Sequence, residues 1–186
     1  MNTVWILDEI NNISQIGMTV NGITRLAFSE DDMKARAYLK KLIDNIGLYY
    51  REDSFVNLFA LYKPAGAEGQ IIGTGSHIDT VPNGGKYDGL LGVISSLAAI
   101  KTIKEKNIPI SHPLELIVFQ AEESSRFGHA TMGSKIMSGK FENYVQWEQS
   151  VDNNGISLVD AMKKAGYNFY DINKSVVEKD RYKAFV

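Results

Sequence analysis

The sequence predicts an α/β domain, a three-layer sandwich whose mixed, largely parallel central sheet is flanked by helices. Three observations lead there. Apolar runs of strand length alternate with segments of helical period, the pattern that stacks helices on a sheet. One run, Leu114-Glu115-Leu116-Ile117-Val118-Phe119, is almost wholly apolar, as a central strand covered on both faces must be. Polar, glycine-containing segments follow the second and third strands, where open α/β sheets gather their functional residues.

Each element has its own signal. A helix from about Thr3 to Ile16 opens the chain. Ser29-Glu30-Asp31-Asp32 starts a second, with a capping hydroxyl and acids in the first turn. Leu39, Leu42, Ile43 and Ile46 then form one buried stripe, and Gly47 is placed to end it. Phe55 to Tyr62 reads as the first strand. Pro64, Gly66 and Gly69 turn the chain into the second, Gln70 to Gly75. Gly89 to Lys106 is a helix whose end carries Lys101, Lys104 and Lys106, a solvated basic end. Leu114 to Phe119 is the third strand, and Ser157-Leu158-Val159-Asp160 caps a short helix ending at Gly166. The aromatic residues Trp147, Tyr167, Phe169 and Tyr170 read as packing. No repeat or flexible linker divides the chain.

Composition narrows the function. The 186 residues are 44% hydrophobic and 23% charged, enough for a packed core. Lys and Arg total 20 against 22 Asp and Glu, without basic clusters, which argues against nucleic acid as the partner. Cysteine is absent, so any metal must be held by His, Asp and Glu. The longest apolar stretch, Leu90 to Ile100, is broken by Gly92, Ser95 and Ser96 and is far short of the roughly 20 residues of a membrane span. With no signal-peptide pattern at the N-terminus, the expected location is the cytoplasm and the expected partner a small-molecule substrate.

Two segments carry the chemistry. Residues 75–89 contain His77, Asp79 and, after the turn Asn83-Gly84-Gly85, Asp88. A His two residues before an Asp at a strand end suits a metal ligand and the carboxylate that fixes its tautomer. The glycine turn lets Asp88 approach the same point. Residues 119–128 contain the paired acids Glu122 and Glu123, one of which could ligate a metal while its neighbour handles protons. His129 reads as a loop histidine and His112, before Pro113, as structural. No Gly-Lys-Ser/Thr follows Gly73-Thr74-Gly75, and no GxSxG is present, so phosphate-loop and serine-hydrolase readings find no support.

Taken together, the HxDxV stretch at His77, the turn Gly84-Gly85-Lys86-Tyr87-Asp88-Gly89 and the segment Glu122-Glu123-Ser124-Ser125-Arg126-Phe127-Gly128 resemble the dinuclear-metal amidohydrolases related to aminoacylases. The subgroup of N-carbamoyl-L-amino-acid hydrolases and allantoate amidohydrolases is the nearest in look. Residues 22–29 (Gly-Ile-Thr-Arg-Leu-Ala-Phe-Ser) with Asp32, Ala35 and Arg36 resemble its N-terminal signature, and Gly155-Ile156-Ser157-Leu158 with Ala161 and Gly166 resembles a later one. The resemblance implies two divalent ions, zinc or manganese with cobalt or nickel open. It assigns His77 to one ion, Glu123 to the other and Asp88 as the bridge, with their ligating atoms converging where ions about 3.5–4 Å apart could sit. Glu122 becomes the general base, and Asp79 orients His77. Arg25 and Arg126 match positions of the pattern without an assigned role.

The implied reaction is hydrolysis of a non-peptide C–N bond, in a carbamoyl or ureido group of a small acid. The alternatives are an aminoacylase or dipeptidase of the same fold, or a catalytically dead domain that acts as a folded module. The family's further histidine ligands and its lid and dimerisation domain lie downstream of the matched segments. Residues 1–186 are therefore expected to be the N-terminal section of a metal-binding catalytic domain, inactive alone and homodimeric only in a full-length form. Two positions depart from the pattern, Val56 and Ser124, each where glycine is usual.

Overall fold

The computed structural model of the chain describes residues 2–140 and 142–186. Helix α1 (Thr3–Ser14) starts at Asn2, whose side chain accepts the Trp5 N–H. A short antiparallel hairpin follows, β1 (Met18–Thr19) and β2 (Gly22–Ile23). Helix α2 (Glu30–Ile46) has both expected ends: the Ser29 hydroxyl accepts the Asp32 N–H, and Gly47 closes the helix at φ 71°. Next come β3 (Tyr49–Glu52), β4 (Leu58–Tyr62), β5 (Ile71–His77), α3 (Leu90–Glu105) and β6 (Leu114–Phe119). The chain ends with α4 (Met132–Met137), α5 (Tyr144–Gln149), α6 (Leu158–Lys164), a 3-10 turn (Phe169–Ser175) and β7 (Tyr182–Phe185).

The larger sheet has the order β3-β4-β6-β5-β7, and the apolar run 114–119 is its middle strand. It is mixed. The β3–β4 and β4–β6 pairings are antiparallel, while β6–β5 and β5–β7 are parallel, so parallel pairing is confined to the half that holds β5, β6 and β7. Helices α1, α2 and α3 cover one face. Their Ile10, Leu39, Ile43, Val93 and Leu97 pack with Leu58, Ala60, Leu116 and Val118 of the sheet. Each of these leucine, isoleucine and valine side chains contributes about 1.5–3 kcal/mol on full burial. A second apolar cluster gathers Phe28, Phe55, Trp147, Leu158, Met162 and Phe169. Trp147 and Phe169 are thus core, whereas Tyr170 is exposed.

Three departures of the described residues from the sequence reading concern the large sheet. The strand expected from Phe55 starts at Leu58, because a turn precedes it. The Asp53 carboxylate accepts the N–H groups of Phe55 and Asn57 and the Asn57 side-chain amide, and Val56 is forced to φ 69°. A β-branched residue there is strained by about 1–3 kcal/mol, which explains why the resembled pattern has glycine. Ser124 is exposed and outside the left-handed region, so its departure costs nothing comparable.

The other two differences are the edge strands β3 and β7, which had no pattern of their own. They form by pairing, and β7 also neutralises a buried charge. Glu115, buried in the middle strand, accepts from Arg181 Nη2 at 2.6 Å and from the Tyr182 hydroxyl at 2.5 Å. No helix among the described residues is long and apolar enough to cross a membrane.

Candidate metal centre

Strand β5 ends at His77 and pairs in parallel with β6, where His77 lies opposite Phe119. Both carboxyl ends therefore open on one edge of the sheet, and the segments that follow them are neighbours. The first segment is anchored by the β1–β2 hairpin. Ile23 and Gly84 exchange backbone hydrogen bonds of 2.9 and 2.8 Å, and the Thr24 hydroxyl accepts the Asn83 N–H at 2.9 Å. This is the physical task of the 22–29 signature. Its Arg25 is fully buried and donates to the carbonyls of Ile13, Ile16 and Ile78, so it is a brace between α1 and the end of β5.

His77, Asp88 and Glu123 come together. Their potential ligand atoms all lie within 4.8 Å of one another. His77 Nε2 is 3.8 Å from an Asp88 oxygen and 3.9 Å from a Glu123 oxygen. The other ring nitrogen, Nδ1, is 2.9 Å from the backbone carbonyl of Asp79. A carbonyl only accepts, so Nδ1 carries the proton and Nε2 presents a lone pair to two carboxylates. Three electron-rich atoms thus converge, and among the described residues no Lys or Arg pairs with Asp88 or Glu123. Two carboxylates facing one imidazole nitrogen make a set that a bound cation would stabilise, and imidazole with carboxylates suits a divalent transition ion. The residues fit the metal that the sequence implied.

Asp79 fixes His77 by a route other than the expected one. Its main-chain carbonyl takes the ring N–H, while its carboxylate, 3.6 Å from Nδ1, accepts the N–H groups of Glu122 and Glu123 at 3.3 and 2.9 Å. One buried residue therefore ties the two strand-end segments together. Burial, with the nearby Asp32 charge adding, pushes the Asp79 carboxyl up, against the pull of the Glu123 N–H and His77. Burial likewise raises Glu122, opposed by two bonds from Ser134: the N–H to Oε1 at 2.9 Å and the hydroxyl to Oε2 at 3.0 Å.

Sequence reasoning placed Gly89 within a turn motif without seeing its task, and it missed Gly133 and this serine. Gly89 sits at φ 65°, and a Cβ there would come within 2.6 Å of the His77 ring, so the ring packs on bare backbone. At Gly133 a Cβ would stand 2.5 Å from the Gln120 carbonyl and 2.4 Å from Asn57 Oδ1. A Gly-Ser pair opening a helix just after the paired acids was the available signal for Gly133 and Ser134.

Beneath the centre lies a buried ionic net. Arg36, fully buried, bonds Asp32 Oδ1 at 3.3 Å, the Val56 carbonyl at 2.7 Å, the Phe119 carbonyl at 3.0 Å and the Gln120 side chain. It closes the end of β6 from below. Arg126 bonds Asp152 at 3.1 Å and the Ala27 carbonyl at 2.5 Å, so it too serves the frame. His112 lies between the Gln70 carbonyl and Lys183, and His129 stands edge-on to Trp147 at 6.5 Å. Neither belongs to the cluster. A cavity of about 430 Å³ lies elsewhere, lined by Phe28, Met33, Ile156 and Ala165 among others; the centre itself is open, with the Asp88 side chain 75% exposed.

Comparison with known proteins gives a consistent relationship. The model of Peptidase family M20/M25/M40 matches residues 73–180. The chain is 36% identical over 182 residues to a ureidoglycolate hydrolase of Oryza sativa subsp. japonica, covering 97% of this chain and 37% of the relative. It is 37% identical over 163 residues to the allantoate amidohydrolase of Bacillus subtilis (strain 168), covering 87% and 39%. A crystal structure of a hydantoinase/carbamoylase family amidase from Burkholderia ambifaria superposes with a TM-score of 0.87 at 27% identity, covering 100% of this chain and 44% of that one. The chain thus spans about two fifths of the length of these relatives.

Proposed function

Because the chain belongs to the M20/M25/M40 peptidase family, we propose that its strand-end cluster is the metal centre of a hydrolase of carbamoyl or ureido C–N bonds. In this reading His77 would hold one divalent ion and Glu123 a second, with Asp88 shared by both. Bound there, such ions would polarise a substrate carbonyl and make water acidic near neutral pH. Glu122 takes a proton from the attacking water and returns it to the leaving nitrogen. Asp79 keeps the Nε2 lone pair of His77 aimed inward by holding Nδ1–H. The relatives' names favour ureidoglycolate, allantoate or an N-carbamoyl amino acid as substrate, and zinc or manganese suits the donors.

The observation that carries the reading is the convergence of His77 Nε2 with two carboxylates that no Lys or Arg among the described residues neutralises. Catalytic zinc sites usually have three protein ligands. These residues give each ion one terminal ligand and a share of Asp88, so the 186-residue chain should bind the ions weakly and turn over slowly by itself. The test therefore grafts residues 1–186 in place of the matching segment of the Bacillus subtilis relative. Expected is metal-dependent ammonia release from allantoate or an N-carbamoyl amino acid, abolished by Glu122→Gln with the metals retained. A folded, metal-loaded graft whose turnover survives Glu122→Gln would refute the assignment.

A further inference from the structure

We infer that Ser134 is a positioning residue, which holds the Glu122 carboxylate over the His77–Asp88–Glu123 cluster. The inference deepens the proposed function and rests on it for the role of Glu122. A glutamate has three rotatable bonds and, on an open site, would sample many positions. Here both its oxygens are taken by one residue, Oε1 by the Ser134 N–H at 2.9 Å and Oε2 by the Ser134 hydroxyl at 3.0 Å. The hydroxyl has one proton and a second acceptor in reach, the Thr131 carbonyl at 3.3 Å. The carboxylate is nearer and charged, so it takes the bond.

The backbones of the two segments are locked as well. Thr131, Met132 and Gly133 donate to the carbonyls of Glu122, Ala121 and Gln120 at 2.9, 3.0 and 2.9 Å. Ala121 is held at φ 55°, and Gly133 leaves no room for a Cβ against Gln120. The frame thus fixes where Ser134 stands, and Ser134 fixes where the carboxylate stands. Each oxygen keeps lone pairs free, so the grip leaves Glu122 able to accept a further proton. The fields of His77 and Lys135 add to the Ser134 bonds in opposing the upward push of burial on its carboxyl.

The test uses the 186-residue chain. In a double-mutant cycle of Glu122→Ala and Ser134→Ala, read by urea unfolding without metal, the coupling should change the unfolding constant by about tenfold. With Mn²⁺ added to chain labelled uniformly with ¹³C and ¹⁵N, the ion should broaden the Glu122 carboxyl resonance. Ser134→Ala should reduce that broadening while the Glu123 and His77 signals keep theirs, and Ser134→Thr should restore it. A purely structural serine would leave the Glu122 broadening unchanged. Coupling near zero, or Ser134→Ala without effect on the Glu122 signal, would overturn the inference. If Mn²⁺ fails to broaden His77, Asp88 and Glu123, the metal reading falls instead, and the unfolding cycle alone decides whether Ser134 grips Glu122.

Discussion

The two segments that meet at the centre are built on opposite plans. Residues 81–88 form a mostly exposed turn, held at its base by the β1–β2 hairpin and ending in Asp88, whose side chain is 75% exposed. Residues 120–134 lie on buried charge: Arg36, Asp32, Gln120 and Asn57 bond one another beneath them, and Asp79 and Ser134 hold the two acids. One side is solvated, while the other holds its acids on a bonded frame. The difference teaches that stability and ligand binding are separable here. Substitutions under the second segment should unfold the protein, and those in the first should cost metal and little else.

The largest effect belongs to the buried net. Removing Arg36 leaves Asp32 charged, buried and short of a partner, so Arg36→Ala should lower unfolding free energy by about 3–5 kcal/mol in urea. A loss below 1 kcal/mol would show that the frame under the second segment does not depend on charge. Asp79 joins the two plans. Asp79→Ala frees the N–H groups of Glu122 and Glu123, so it should lower stability by about 1–3 kcal/mol and weaken Zn²⁺ binding in calorimetry.

The first segment should answer differently. Asp88→Ala should leave stability within about 0.5 kcal/mol of the parent while metal affinity drops about tenfold or more. Equal loss of both would merge the two plans into one. The smallest effect is expected at Val56. Glycine there relieves the strain of φ 69° but gives up a fully buried side chain, two opposing quantities of similar size. Val56→Gly should therefore change the unfolding free energy measured in urea by about 1 kcal/mol or less, well under the usual loss of a buried valine.

These contrasts also explain what could be read before the fold was known. Helix α2 was legible because its signals are local: a Ser29 cap, a stripe at 39, 42, 43 and 46, and Gly47. The middle strand announced itself by its apolar run. His77, Asp88 and Glu123 could be singled out because rare residue types stood at strand ends, and the fold brings them together. The edge strands β3 and β7 could not be, since their order comes from partners distant in sequence. Nor could the division of labour within Asp79, whose carbonyl and carboxylate serve different neighbours. Ser134 escaped for a related reason: a Gly-Ser pair opening a helix is a local signal, but it does not name the glutamate twelve residues earlier that the serine bonds.

The central claim, that His77 Nε2, Asp88 and Glu123 are ligands of bound divalent cations, can be tested on the chain directly. Long-range ¹H–¹⁵N spectra resolve the ring nitrogens of His77, His112 and His129, the chain's three histidines, during titration with Zn²⁺. The account predicts that His77 Nε2 shifts as a metal-bound nitrogen, that Nδ1 keeps its proton on the Asp79 carbonyl, and that Asp88→Ala weakens the response. Zn²⁺ shifts confined to His112 or His129, with His77 unmoved at saturation, would contradict it.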